Sequence, residues 1–355
     1  MTGRAATPGN PAPRELAVSR RILLVGSAMA ALGIGGRLGV VGAYAWRQPD
    51  PAENPGLTER ERLGAMVGLP VDASGVARWR ADIDTLAEHG QNLVRTGIYA
   101  WKVAPEQGRW DPEMVAFYRE QLDYARSLGM GVNLVVPGAP DWAQSFGFDD
   151  YAAACTWFWT QMRQGFGDQV ELWQAFNEAD HAHYQRFTPA TRDATYLREF
   201  AQLLGAARDT LGSDGVPVTT NLTGWPLNDE REQEWYLVLD AIGDSLDVIS
   251  IDLYPADNET EIGRLAERME RVRERYGRPI FVAEIGLQTT PDSWTESDQQ
   301  RYLAAAIEQL RAVELWGICL YELRDNEFPA GFGITRADGT EKLGFHDVMR
   351  ALGPR

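Results

Sequence analysis

Residues 170–180 read VELWQAFNEAD, an apolar run built like a buried strand that stops at Asn177 and Glu178. Seven other short apolar runs share its character: 64–69 (GAMVGL), 92–99 (NLVRTGIY), 131–137 (GVNLVVP), 217–222 (PVTTNL), 247–254 (DVISIDLY), 279–286 (PIFVAEIG) and 317–323 (GICLYEL). Amphipathic helical patterns lie between them, for example over 112–127, 191–210, 260–275 and 297–314. Strands alternating with helices are the signature of repeated βα units around a parallel sheet. Eight such units in about 290 residues predict an α/β fold of the (β/α)8 TIM-barrel type. The alternative is a doubly wound open sheet, but GLPVDASG after the first strand lacks the G-x-G-x-x-G phosphate turn.

Composition narrows the function. The chain has 355 residues, 44% of them hydrophobic, enough for a full core. A formal net charge of −17 repels phosphate backbones and anionic lipid, so no nucleic-acid partner is expected. Lysine occurs only as Lys102 and Lys342, and Cys155 and Cys319 sit in apolar contexts that predict buried free thiols.

The N-terminus reads as separate from the fold. Residues 1–45 contain SRRILLVGSAMAALGIGG, then LGVVGAYA closing on Ala43-Tyr44-Ala45. A basic pair before an apolar run of this length fits an export signal, and SRRILL resembles a twin-arginine signal. A membrane anchor is the competing reading of the same apolar segment. Residues 46–62 form a Pro-rich polar linker, and the barrel is expected over 63–355.

In a barrel the functional groups gather where strands end at the C-terminal mouth. Glu178 takes that place on the fourth strand and Glu284, in FVAEIG, takes it on the seventh. The 106 positions from 178 to 284 span three βα units of about 35 residues. Carboxylates are rarely buried after apolar strands unless paired or functional. Two facing glutamates suit glycosidic bond cleavage: one protonates the leaving oxygen while the other attacks the anomeric carbon. On this reading the charge of Glu284 keeps Glu178 protonated. The bland alternative makes one of them an arginine's salt-bridge partner. Trp101, Trp142, Trp225 and Trp294 follow strands two, three, five and seven, and are expected to rim a sugar cleft; each could instead plug a loop. Trp157 and Trp159, on a helical pattern, are expected in the core.

FNEAD on the fourth strand and VAEIG on the seventh resemble the acid/base and nucleophile motifs of glycoside hydrolase clan A, the retaining (β/α)8 glycosidases. NLVRTGIYAWKVAPEQGRWDPE, VVPGAPDWA and DVISIDLYP resemble that clan's second, third and sixth units, and the stretch from LYELRDNEF onward resembles the close of families 39 and 5. Ala179 departs from the commoner N-E-P, and Tyr321 stands near where many members carry tryptophan. The resemblance implies Glu178 as acid/base and Glu284 as nucleophile, with no cofactor or metal. It implies that Asn177 binds the sugar 2-hydroxyl, that Arg95 and Tyr254 serve Glu284, and that Tyr321 contributes to substrate binding.

Weaker signals remain. His181 and His183 lack a third metal ligand. Asp180, Glu322, Arg324 and Asp325 either read substrate hydroxyls or pair among themselves. A Schiff-base aldolase needs a strand-borne lysine, which neither Lys102 nor Lys342 supplies. The expectation is an exported retaining glycoside hydrolase acting on β-linked polysaccharide or oligosaccharide. A non-catalytic carbohydrate-binding barrel and a transglycosylase are the alternatives.

Overall fold

The computed structural model describes residues 61–180, 194–290, 294–326 and 331–353. The expected signal or anchor over 1–45, nearly all of the linker over 46–62, and His181 and His183 lie outside the described residues.

Nine parallel strands appear among the described residues: β1 (Arg62–Met66), β2 (Leu93–Gly97), β3 (Gly131–Val136), β4 (Leu172–Ala175), β5 (Val218–Thr219), β6 (Asn221–Leu222), β7 (Ile249–Leu253), β8 (Ile280–Ile285) and β9 (Gly317–Leu320). Their order is β5-β4-β3-β2-β1-β9-β8-β7-β6, and β5 and β6 are halves of one stave separated only by Thr220. Eight staves therefore close a TIM barrel, as the alternation of runs predicts. The open doubly wound sheet is excluded, because β1 pairs in parallel with β9.

Seven of the eight expected strand runs contain a stave and the first overlaps one, with shifted ends. The first begins at Arg62, which pairs with Gly317, and leaves the ladder after Met66, short of the 64–69 reading. Among the helices, the one over Pro112–Ser127 matches its predicted span, since Asp111 caps the backbone N–H groups of Glu113 and Met114 and Pro112 opens the first turn. The span 260–275 is instead two helices, Glu259–Ile262 and Leu265–Tyr276, parted at Gly263 and Arg264. The helix Glu296–Leu310 starts on a Thr295/Asp298 capping box.

The period of two along each strand sorts residues between two faces. Leu93, Leu172, Val248, Phe281, Ala283 and Cys319 pack together as one buried cluster inside the barrel. Counting by twos from that cluster brings Arg95, Gln174 and Asp252 to the same inner face, nearer the C-terminal mouth. On β8 the count would send Glu284 outward. A bulge corrects this, because Ile251 pairs with Val282 whereas Asp252 pairs with Glu284. The extra residue turns Glu284 inward, level with Asp252.

Candidate active site

The mouth of the barrel holds a cavity of about 600 Å³ whose lining includes Arg95, Asn177, Glu178, Tyr254, Glu284 and Tyr321. The sequence reading named all six. Thr223, Trp225, Trp294 and Phe332 are also among its walls.

Arg95 organises the floor. Its Nε donates to Gln174 Oε1 at 2.8 Å, Nη1 to Glu284 Oε1 at 2.7 Å and Nη2 to Asn177 Oδ1 at 2.6 Å. Tyr254 Oη donates to the other Glu284 oxygen at 2.6 Å. Both oxygens of Glu284 thus receive a donor, one of them cationic. Burial and the neighbouring carboxylate charges push the Tyr254 phenol far up, so it stays a donor.

Asn177 is held just as firmly. Its Oδ1 also accepts from Asn221 Nδ2 at 3.1 Å, which leaves its own amide N–H groups for the cavity it lines. The backbone around it is unusual: Phe176 has φ 67° and Glu178 φ 43°, left-handed values that cost non-glycine residues energy and cluster at functional sites. The backbone N–H of Glu178 is satisfied by Asn221 Oδ1 at 2.9 Å. The strand end is therefore over-determined, as such strain requires.

Glu178 is buried, and its carboxyl is pushed up to about 7. Loss of hydration is the largest cause and the Glu284 charge the second, with a hydrogen bond from Thr223 opposing both. The sequence reading named the Glu284 charge alone; burial outranks it.

Of the four loop tryptophans, two line the cavity and two do not. Trp225 and Trp294 are in the wall, Trp225 being 47% exposed. Trp101 faces solvent beside Lys102, whose Nζ lies 4.7 Å from the indole centroid. Trp142 is a loop plug: its Nε1 donates to Ala104 O at 3.2 Å and its ring meets Phe146 and Trp157. Position in a loop fixes a side chain's neighbourhood but not its direction. Trp159 is buried as expected, and Trp157 is half-buried against the core.

The acidic residues after the last strand are internally paired. Asp325 accepts from Lys342 Nζ at 3.0 Å and from Gly333 N at 2.7 Å, and Arg324 forks onto Asp82. Glu322 bonds Asn326, and burial pushes its carboxyl up to about 8. Asp180 accepts from the backbone of Thr223 at 3.0 Å. Both cysteines are buried and neither is in a disulfide among the described residues. Among the described residues no cluster has the makings of a metal site.

Sequence reading missed Gln174, Asn221 and Asp252, which tie the site together from behind. A signal existed for Asp252: it lies two positions before Tyr254 in the run DVISIDLY, hence on the same face. Gly224 belongs to this layer too, since a Cβ there would sit 1.7 Å from the Asp252 carbonyl oxygen. Only glycine permits so close a crossing of the two staves.

With this geometry the chain can be compared with known proteins. Residues 151–315 match the family model described as glycosyl hydrolase catalytic core. No curated protein matches the full sequence. A β-glycosidase from Pyrococcus horikoshii is similar in structure at 14% identity and TM-score 0.66, covering 84% of this chain and 96% of that one. A variant of GH5_18 from Streptomyces cattleya, in complex with Manb1-4GlcNAc, is similar at 16% identity and TM-score 0.66, covering 82% and 80%. GH5_18 from Bifidobacterium longum is similar at 16% identity and TM-score 0.65, covering 83% and 78%. At such identities these neighbours speak for the barrel, while the family model speaks for the chemistry of residues 151–315. The protein is a glycoside hydrolase on a TIM-barrel fold.

Proposed function

We propose that the protein is a retaining β-glycosidase in which Glu284 is the nucleophile and Glu178 the acid/base. The observation that carries this reading is the contrast between the two carboxyls in one cavity. Glu284 receives Arg95 and Tyr254 on its two oxygens, an environment made for an anion. Glu178 is buried with no cation against it among the described residues and is pushed up to about 7, an environment made for a neutral acid. In the first step the Glu284 carboxylate attacks the anomeric carbon while Glu178 gives its proton to the departing oxygen. Once the ester forms, the Glu284 charge is gone and Glu178 is left as a carboxylate able to take a proton from water. The amide of Asn177 is placed to donate to the sugar 2-hydroxyl, and Trp225, Trp294, Tyr321 and Phe332 offer flat apolar faces to pyranose rings.

The substrate belongs to the same proposal: a β-linked oligosaccharide or polysaccharide, cleaved outside the cytoplasm. Export rests on the basic pair and apolar run within residues 1–45. No helix among the described residues is long and apolar enough to cross a membrane.

Hydrolysis of a panel of aryl β-glycosides and polysaccharides by the wild type and Glu284→Gln tests the scheme. Removing the nucleophile is expected to lower turnover by about 10³-fold or more. With Glu284→Ala, added azide should restore turnover and give a glycosyl azide of inverted configuration. A loss below about tenfold, or an azide product of retained configuration, would refute the assignment.

A further inference from the structure

Asp252 sits in the middle of this cluster and has no part in a two-glutamate scheme. It is fully buried on the inner face of β7. The amide of Asn221 can point only one way: its Oδ1 accepts from the Glu178 backbone at 2.9 Å and from Gln174 Nε2 at 2.7 Å. Its Nδ2 therefore donates to Asp252 Oδ2, 2.6 Å away. Asp252 Oδ1 is left buried with no hydrogen-bond donor among the described residues. The Glu178 carboxyl lies within hydrogen-bonding reach of the Asp252 carboxyl.

Two ionised carboxylates cannot share a dry contact of this kind. The charged groups facing Asp252 are Arg95 from β2, Glu284 from β8 and Glu178 beyond β4, with Asp180 bearing on Glu178. The sole guanidinium among these is already bonded to Glu284. Ionising Asp252, Glu178 and Glu284 together would strand two negative charges in the protein interior. A proton on Oδ1 removes the conflict, because it turns an orphaned acceptor into a donor aimed at Glu178.

On the reading that Glu178 is the acid/base, we propose that Asp252 is a positioning residue that works as a neutral carboxylic acid, its Oδ1–H donating to the Glu178 carboxyl and supporting the carboxylate formed when Glu178 acts. The Glu178 O–H breaks as its proton bonds to the leaving oxygen and the glycosidic C–O bond opens. Asp252 keeps its own proton throughout. In the second half Glu178 takes a proton from the attacking water, and the starting state returns. Burial and the Glu284 and Glu178 charges hold the Asp252 carboxyl well above the usual carboxylate range, with Arg95 and Asn221 pulling the other way.

Asparagine can replace a neutral donor here, and leucine cannot. In the full chain, Asp252→Asn should keep the basic limb of kcat/KM within about half a pH unit of wild type. Asp252→Leu should move that limb up by about one pH unit and slow deglycosylation, because the Glu178 carboxylate loses a donor. An infrared spectrum of the Glu178→Gln protein at pH 8 should contain a buried carboxylic C=O band that the added Asp252→Asn change removes. Absence of that band overturns the proposal. So does a basic limb lowered by a full unit in Asp252→Asn, the response to losing a negative charge. If Asp252→Leu does not fold, the band and the Asp252→Asn limb still decide. Full turnover of poor-leaving-group substrates by Glu178→Gln would instead overturn the acid/base reading beneath it, while the band reports separately on Asp252.

Discussion

Arg95 and Glu284 form a buried ion pair, Nη1 to Oε1 2.7 Å, with side-chain exposures of 2% and 7%. The same guanidinium holds Gln174 and Asn177, so one residue on β2 sets the geometry of strands four and eight together. Planarity makes this possible: the guanidinium fork presents donors in fixed directions, which a lysine ammonium does not.

Arg95→Lys is therefore expected to keep a charge near Glu284 yet lose the contacts to Gln174 and Asn177. The outcome should be a fall of about 10²-fold in kcat/KM with modest loss of Tm. Arg95→Met removes the charge from a buried pair and should cost about 3–5 kcal/mol in stability by denaturant unfolding. Equal stability of the lysine and methionine variants would contradict the ion-pair account.

Glu178 makes both rate and stability depend on pH. Its folded-state carboxyl is raised from 4.5 to about 7, so the native protein holds this proton more tightly than the unfolded chain does. The associated stability is complete below about pH 4.5 and drains away as pH rises through about 7. Glu178→Gln, which cannot ionise, should thus gain stability relative to wild type at pH 8, by about 1–3 kcal/mol, and show no such gain at pH 4. Activity should track the same proton. In wild type kcat/KM falls above pH 7, and in Glu178→Gln that limb disappears for substrates whose leaving group needs no proton.

How much of this was legible in the sequence follows from what each residue's neighbours look like along the chain. Glu178 and Glu284 stood out because each ends a nearly apolar strand, where a charge has no structural excuse. The helix Pro112–Ser127 was readable to the residue because Asp111 and Pro112 mark its start. The break at Gly263 was not, since a glycine within a helical pattern is tolerated as often as it ends one. The bulge that turns Glu284 inward leaves no trace in the run FVAEIG, because register is a property of two strands and not of one. Asp252 holds the same penultimate place on β7 that Glu284 holds on β8, and it was passed over because only its bond to Asn221, which also holds the Glu178 backbone, gives it a role.

The tryptophans separate cleft from surface. Trp225→Ala should raise KM for oligosaccharides by about tenfold with little change in kcat, since a lost stacking face is worth about 1–2 kcal/mol and is felt in ground and transition states alike. Trp101→Ala, on a residue 48% exposed outside the cavity, should alter neither constant by more than about twofold. Isothermal titration with oligosaccharides on an inactive Glu284→Gln background would check both; weakened binding by the Trp101 variant would show that the cleft extends past β2.

Lys342 is one of only two lysines in the chain, and it is buried. Its Nζ donates to Asp325 Oδ1 at 3.0 Å, Thr289 Oγ1 at 2.8 Å and Gly331 O at 3.0 Å. Next to Gly331 stands Phe332, whose ring packs edge-on against both Tyr254 and Tyr321 at centroid distances of 5.9 and 5.4 Å. The ammonium thus fastens one wall of the cavity from behind, without touching the space a sugar would fill. Lys342→Met keeps the aliphatic stem but leaves Asp325 without its cation, so unfolding free energy should drop by about 3 kcal/mol. Because Phe332 loses its anchor while the carboxyls keep theirs, KM should rise several-fold more than kcat falls. A double change of Lys342→Met and Asp325→Asn removes both charges and should recover much of the stability, whereas additive losses would mean the lysine acts through the Gly331 carbonyl alone.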